Sequence, residues 1–117
     1  STVKAEIEAL RDELPLFPSE ADKIKNAVNK RVVFLLGGKE SNAYKDRSLS
    51  KKVFANCYRN LKGNFENIGK YTEIKRKHRH EALRIVERYE PPFFLAQQIE
   101  SVNAQRTLDL EGGAYHG

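Results

Sequence analysis

Four sets of helix breakers divide this chain: Pro15 with Pro18, Gly37-Gly38, Gly63 with Gly69, and Pro91-Pro92. Proline lacks a backbone donor and clashes inside a helix, and glycine takes up the left-handed conformation that ends one. Between the breaks the apolar residues recur at steps of three and four, the period of a single helix face. The chain is therefore expected to be mainly α, a small single-domain bundle of about five helices. A short β element near residues 70–74 is the one expected exception.

In the first piece, Val3, Ile7, Leu10 and Leu14 form a heptad seam. Two heptads are too few to stand alone, so residues 1–14 either pack on their own domain or end a longer coiled coil. The chain opens at Ser1 rather than Met, which suggests a processed product or a piece of something longer. Leu16 and Phe17, between the prolines, are expected in the core. Ser19 with Asp22 reads as a capping box for a second helix, striped by Ala21, Ile24, Ala27, Val28, Val32 and Leu35 and stopped by Gly37-Gly38. Residues 39–49 have no period and read as a loop carrying Lys39, Tyr44, Lys45 and Arg47.

Ser48 or Ser50 is expected to cap a third helix running to Lys62. At about 100° per residue, Val53, Phe54, Cys57, Tyr58, Leu61 and Phe65 share one arc. Lys51, Lys52, Arg59 and Lys62 gather on the next. Residues 71–74 read as a short strand or extended lead-in. A fourth helix follows from Lys75 or Lys77 to Tyr89, with Ala82, Leu83, Ile85, Val86 and Tyr89 inward. Lys75, Arg76, Lys77, His78, Arg79 and His80 crowd its first turn, where they oppose the helix macrodipole and point to a partner. Pro91-Pro92 opens a fifth helix with Leu95, Ile99 and Val102 as its stripe. The domain is expected over 15–104, followed by a flexible tail over 105–117.

The net charge of +5 conceals a segregation. Residues 23–88 hold 18 Lys+Arg against 6 Asp+Glu, whereas the two flanks hold 3 against 10. A basic centre of this kind is the electrostatic footprint of a protein that meets phosphate backbones or an anionic surface. The residues expected to carry such contacts are Lys39, Lys45, Arg47, Lys51, Lys52, Arg59, Lys62, Lys70, Tyr71, Lys75, Arg76, Lys77 and Arg79. The competing explanation is a merely solvated face.

Other chemistries find little support. One cysteine and three histidines among 117 residues give neither a disulfide scaffold nor a zinc cluster, so no metal or other cofactor is expected. His78 and His80 are two apart and point different ways on a helix; His78 reads as a core-edge residue and His80 as solvent-facing. Cys57 reads as a buried, inert thiol. Leu36 to Ser41 lacks the spaced glycine of a phosphate loop and reads as a helix stop. No paired carboxylates and no Ser/His/Asp set stand out, so no enzyme is expected. The apolar run Val32 to Leu36 falls far short of the roughly 20 residues that cross a bilayer, and no signal segment opens the chain. The expected location is cytoplasmic, without membrane contact.

The segment Leu36-Gly37-Gly38-Lys39-Glu40-Ser41-Asn42-Ala43-Tyr44-Lys45 precedes Val53-Phe54, Tyr58-Arg59-Asn60-Leu61-Lys62, Phe65, Tyr71, Ile74 and Ala82. On these residues the chain resembles the C-terminal domain of phage antirepressor-type proteins, the domain named for the C-terminal part of phage open reading frame six. The likeness spans residues 18 to 104. It implies a phage or prophage regulator associated with DNA and lysis-lysogeny control, acting in a bacterial host cell, and it assigns no catalytic residues. The leading expectation is a double-stranded DNA-binding module that grips phosphates through the basic residues. The alternatives are a protein-interaction module that holds an acidic partner such as a repressor, and a binder of single strands or RNA with Tyr44 or Tyr71 stacking. The heptad helix points to a homodimer.

Overall fold

Apart from the exposed seam of Val3, Ile7, Leu10 and Leu14, the apolar stripes become the inner faces of helices. In the computed structural model the backbone is described for residues 2–116 and the side chains for residues 2–105. The elements are α1 (Thr2–Glu13), α2 (Pro18–Leu36), α3 (Asn42–Lys45), α4 (Arg47–Lys62), α5 (Arg79–Glu87) and α6 (Phe93–His116), with 3-10 turns at Tyr71–Glu73 and Arg76–His78. On α2 the buried residues are Ala21, Ile24, Val28, Val32 and Leu36, and on α4 they are Leu49, Val53, Cys57 and Leu61. Helix α2 packs against α4 and α5, and α6 crosses α3 and α4. Ile74, Ala82, Val86, Tyr89, Leu95 and Ile99 complete the core. The expected helical bundle is thus observed, with the four-residue α3 as an addition.

The ends of the elements differ from expectation. Helix α2 starts two residues earlier than a Ser19 cap allows: Phe17 is the N-cap residue, Pro18 occupies the first helical position, and the Glu20 carboxylate accepts from the Phe17 N–H at 2.8 Å. Glu20, three residues into the helix, outcompetes Ser19 and Asp22 because it reaches back to the exposed amide. Phe17 is exposed, unlike Leu16. Its ring lies under the Arg76 guanidinium, 4.0 Å away, which gives it a cation rather than the core as neighbour.

The expected loop over 39–49 is mostly helix. Ser41 caps α3 by accepting from the Tyr44 N–H at 3.1 Å, and Asp46, not Ser48 or Ser50, caps α4 by accepting from the Leu49 N–H at 3.1 Å. No strand forms near 70–74 among the described residues. The Leu16 N–H donates to Ile74 O and the Arg76 N–H to Leu14 O, which makes one isolated antiparallel bridge between Pro15 and Lys75. The 3-10 turn at Tyr71–Glu73 takes up the rest of that segment.

Gly37 and Gly38 do stop α2, with φ of 105° and 99°, and the Gly37 and Gly38 N–H groups donate to Phe34 O and Val33 O. Asn103 of α6 closes this corner: it accepts from the Ala43 N–H at 2.8 Å and donates to Leu36 O at 3.1 Å. Helix α6 runs to His116, over the stretch expected as a tail, and the side chains beyond residue 105 lie outside the described residues.

Candidate nucleic-acid interface

Most of the expected basic residues fall into two groups with different electrostatic fates. The first is the run from Lys75 to Arg79, which is largely occupied within the chain. The Lys75 and Lys77 ammonium groups both meet the Glu13 carboxylate, at 2.7 and 2.6 Å. Arg76 meets Glu20 through Nε and Nη2, at 2.8 and 3.0 Å, and Arg79 Nε lies 3.5 Å from the same carboxylate. Arg79 Nη1 also donates to Arg76 O at 2.7 Å. The unfavourable cluster at a helix start is thereby resolved. Residues 76–78 form a 3-10 turn ahead of α5, so most of the cations precede the helix, and two carboxylates from the acidic N-terminal flank neutralise them.

The second group lies on α4. Arg47 to Lys62 carries five cations and no carboxylate. With the Leu49-Val53-Cys57-Leu61 stripe facing inward, helical geometry places Lys51, Lys52, Arg59 and Lys62 on the opposite side. Lys51, Lys52 and Arg59 are exposed and, among the described residues, have no ion pair. Lys62 donates to Gly69 O, at 3.4 Å. The face is not uniformly basic along its edges: Glu90 borders Arg59, and Asp46 shares a shallow cleft with Lys52 and Gln98.

A family model for the ORF6C domain matches residues 1–99. The chain belongs to the ORF6C domain family. This is a phage-associated family, and the match takes in α1, which the resemblance seen in the sequence left out. No curated protein and no solved structure gives a significant match.

In this ORF6C domain the α4 face extends at its C-terminal end onto a second cleft. Tyr58, Lys62, Gly69, Lys70, Tyr71 and Thr72 line it, with the Tyr58 and Tyr71 rings 5.2 Å apart and tilted by 38°. Burial pushes the Tyr58 hydroxyl above the usual tyrosine range, so it remains a neutral hydrogen-bond donor at physiological pH. Lys62, Lys70 and Tyr71 are thus brought together. Lys39 and Lys45 are exposed on the turn and the short helix before α4, with Lys45 Nζ 3.3 Å from Glu40, and Arg47 is exposed as the first residue of α4.

Sequence reasoning overlooked the residues that organise the basic surface from beneath. Glu13 and Glu20 are the main ones, and the acidic flanks were their visible signal. Arg31 was also missed. It donates to Tyr89 O at 2.8 Å and to the Glu90 carboxylate at 2.7 Å, tying α2 to the end of α5.

Of the three residues weighed for other chemistry, His80 is exposed and the other two are packed into the structure. His78 is half-buried, its ring 5.4 Å from that of Phe65, and Nδ1 lies 3.4 Å from Glu81. Cys57 is buried, and desolvation pushes its thiol up to about 12. Among the described residues no three His, Cys, Asp or Glu side chains are placed to hold a metal ion, and no helix is long and apolar enough to cross a membrane.

Proposed function

We propose that this ORF6C domain is a nucleic-acid-binding module of a phage or prophage regulator of the antirepressor type. It grips the phosphate backbone of double-stranded DNA with the outer face of α4, and it acts by binding rather than by catalysis. The observation that carries this reading is the unopposed charge of α4, five cations without a carboxylate, on a helix whose other side is anchored in the core. Unpaired Lys and Arg on one rigid face can displace the counterions condensed on DNA, the main source of sequence-independent affinity. Lys62 and Lys70 beside the Tyr58–Tyr71 pair extend the track by a cation pair with an aromatic edge. The work of such a regulator lies in the cytoplasm of the bacterial host.

A second reading is an interaction module that holds an acidic protein such as a repressor. It rests on the same exposed Lys51, Lys52 and Arg59 of α4, which can meet carboxylates as well as phosphates. Anisotropy titrations with double-stranded DNA, single-stranded DNA and RNA at two salt concentrations separate the readings. Salt-sensitive preference for the duplex is the expected result. Preference for unpaired strands would move the function to single-strand recognition, and no binding to any of the three would leave the protein partner as the better account.

A further inference from the structure

We propose that α1 pairs with α1 of a second copy of this chain as a parallel, in-register, two-stranded coiled coil. Four observations lead there. First, the seam is bare: Val3, Ile7, Leu10 and Leu14 are 64, 48, 71 and 46% exposed, and α1 buries none of its residues in its own domain.

Second, α1 is held to its domain by a different side. Glu13 binds Lys75 and Lys77, and Asp12 lies close enough to Arg76 to favour its charge. With Ile7 and Leu14 at heptad position a and Val3 and Leu10 at d, Asp12 falls at f, opposite the seam, and Glu13 at g, on its flank. The docking that fixes the direction of α1 therefore leaves the apolar stripe facing away from the bundle.

Third, the charges beside the seam select a partner. Position g holds Glu6 and Glu13, and position e holds Lys4 and Arg11. In a parallel pair, g faces the partner's e five residues on, which sets Glu6 against the partner's Arg11 twice by symmetry. An antiparallel pair sets g against g and e against e, so Glu6 would meet Glu13 and Lys4 would meet Arg11, both repulsive. Fourth, the central layers place β-branched Ile7 at a and Leu10 at d, the combination that favours two strands. Two heptads make the association weak and concentration-dependent, and the dimer carries two copies of the α4 face.

Disulfide trapping reads such a weak pairing without nucleic acid present. The Leu10→Cys protein, incubated with oxidised glutathione, should cross-link to itself at least about tenfold faster than Glu8→Cys, whose solvent-facing position reports random collision. The buried Cys57 stays out of the exchange. Adding Arg11→Glu to Leu10→Cys should abolish the advantage, and adding Glu6→Arg as well should restore it. Equal rates for Leu10→Cys and Glu8→Cys would overturn the proposal. So would preferential cross-linking between an Ile7→Cys chain and a Leu10→Cys chain, the mark of antiparallel pairing.

Discussion

Arg76 lays two of its nitrogens, Nε and Nη2, against the two carboxylate oxygens of Glu20, 56 residues earlier in the chain. Both side chains are about 15% exposed, and the same carboxylate caps α2 through the Phe17 N–H. One side chain thus starts a helix and anchors the turn that leads into another. Hydrogen bonds from Arg76 hold the Glu20 carboxyl below the usual carboxylate range.

Glu20→Gln keeps an acceptor for the Phe17 amide and removes the charge from beneath Arg76. The expected loss of stability is about 1–3 kcal/mol, because a partly buried guanidinium loses its charged partner. Urea unfolding measures it, and Glu20→Ala, which also loses the cap, should cost more. A Glu20→Gln midpoint equal to that of the parent would reduce the pair to an ordinary surface contact.

The two basic groups should separate in their response to salt. Replacing Lys51, Lys52 and Arg59 by Ala together is expected to flatten the slope of log affinity against log salt for duplex DNA by up to about 2.7. Replacing Lys75 and Lys77 by Ala removes cations already satisfied by Glu13 and should change the slope much less. Equal effects would mean that phosphate displaces Glu13.

Acid should loosen α1. Hydrogen bonds from Lys75, then Lys77, pull the Glu13 carboxyl from its ordinary 4.5 to about 2. A carboxyl depressed in the folded state contributes its full docking above the unfolded value and loses it as pH falls through the folded one. The attachment of α1 should therefore weaken below about pH 4.5 and be gone below about pH 2. A side-chain NMR titration of Glu13 follows this directly, and a midpoint near 4.5 in the parent protein would show that the ion pairs do not form.

Cys57 should resist thiol reagents in the native state. Its burial and a thiol pushed up to about 12 leave almost no thiolate at pH 8. Labelling by a chromogenic disulfide is expected to be slow in buffer and complete within seconds in denaturant. Fast native labelling would mean that α4 separates readily from α2.

Two adjacent glycines should differ on substitution. Gly37→Ala and Gly38→Ala both impose a left-handed backbone on alanine, at about 1–2 kcal/mol each. At Gly37 an added Cβ would also meet Ser41 Cβ at 3.1 Å and Asn103 Nδ2 at 3.2 Å, whereas at Gly38 it meets nothing within 4 Å. Gly37→Ala should be the more damaging in thermal unfolding. The reverse order would mean that the Asn103 corner yields at little cost.

The inner faces of the helices were legible in the sequence because the period that marks them is local. Ile24, Val28, Val32, Val53, Cys57, Leu61, Ala82, Val86, Leu95 and Ile99 lie on the expected stripes, and all are buried. The helix starts were less legible. Ser48, Ser50 and Asp46 can each accept from a nearby amide, and the path of the chain out of α3 decides among them in favour of Asp46.

The amino-acid sequence alone determined that this chain forms a helical bundle with a concentrated basic centre, since periodicity, helix stops and charge are properties of neighbouring residues. Which cations remain open to a partner was decided only in the tertiary structure. The carboxylates that occupy Arg76 and Lys77 stand 56 and 64 residues away in the chain, and folding brings them within hydrogen-bond distance. Coulomb energy in water depends on separation in space. The same bracing of Lys75 and Lys77 leaves α4 as an open basic face and holds α1 with its apolar seam turned to solvent.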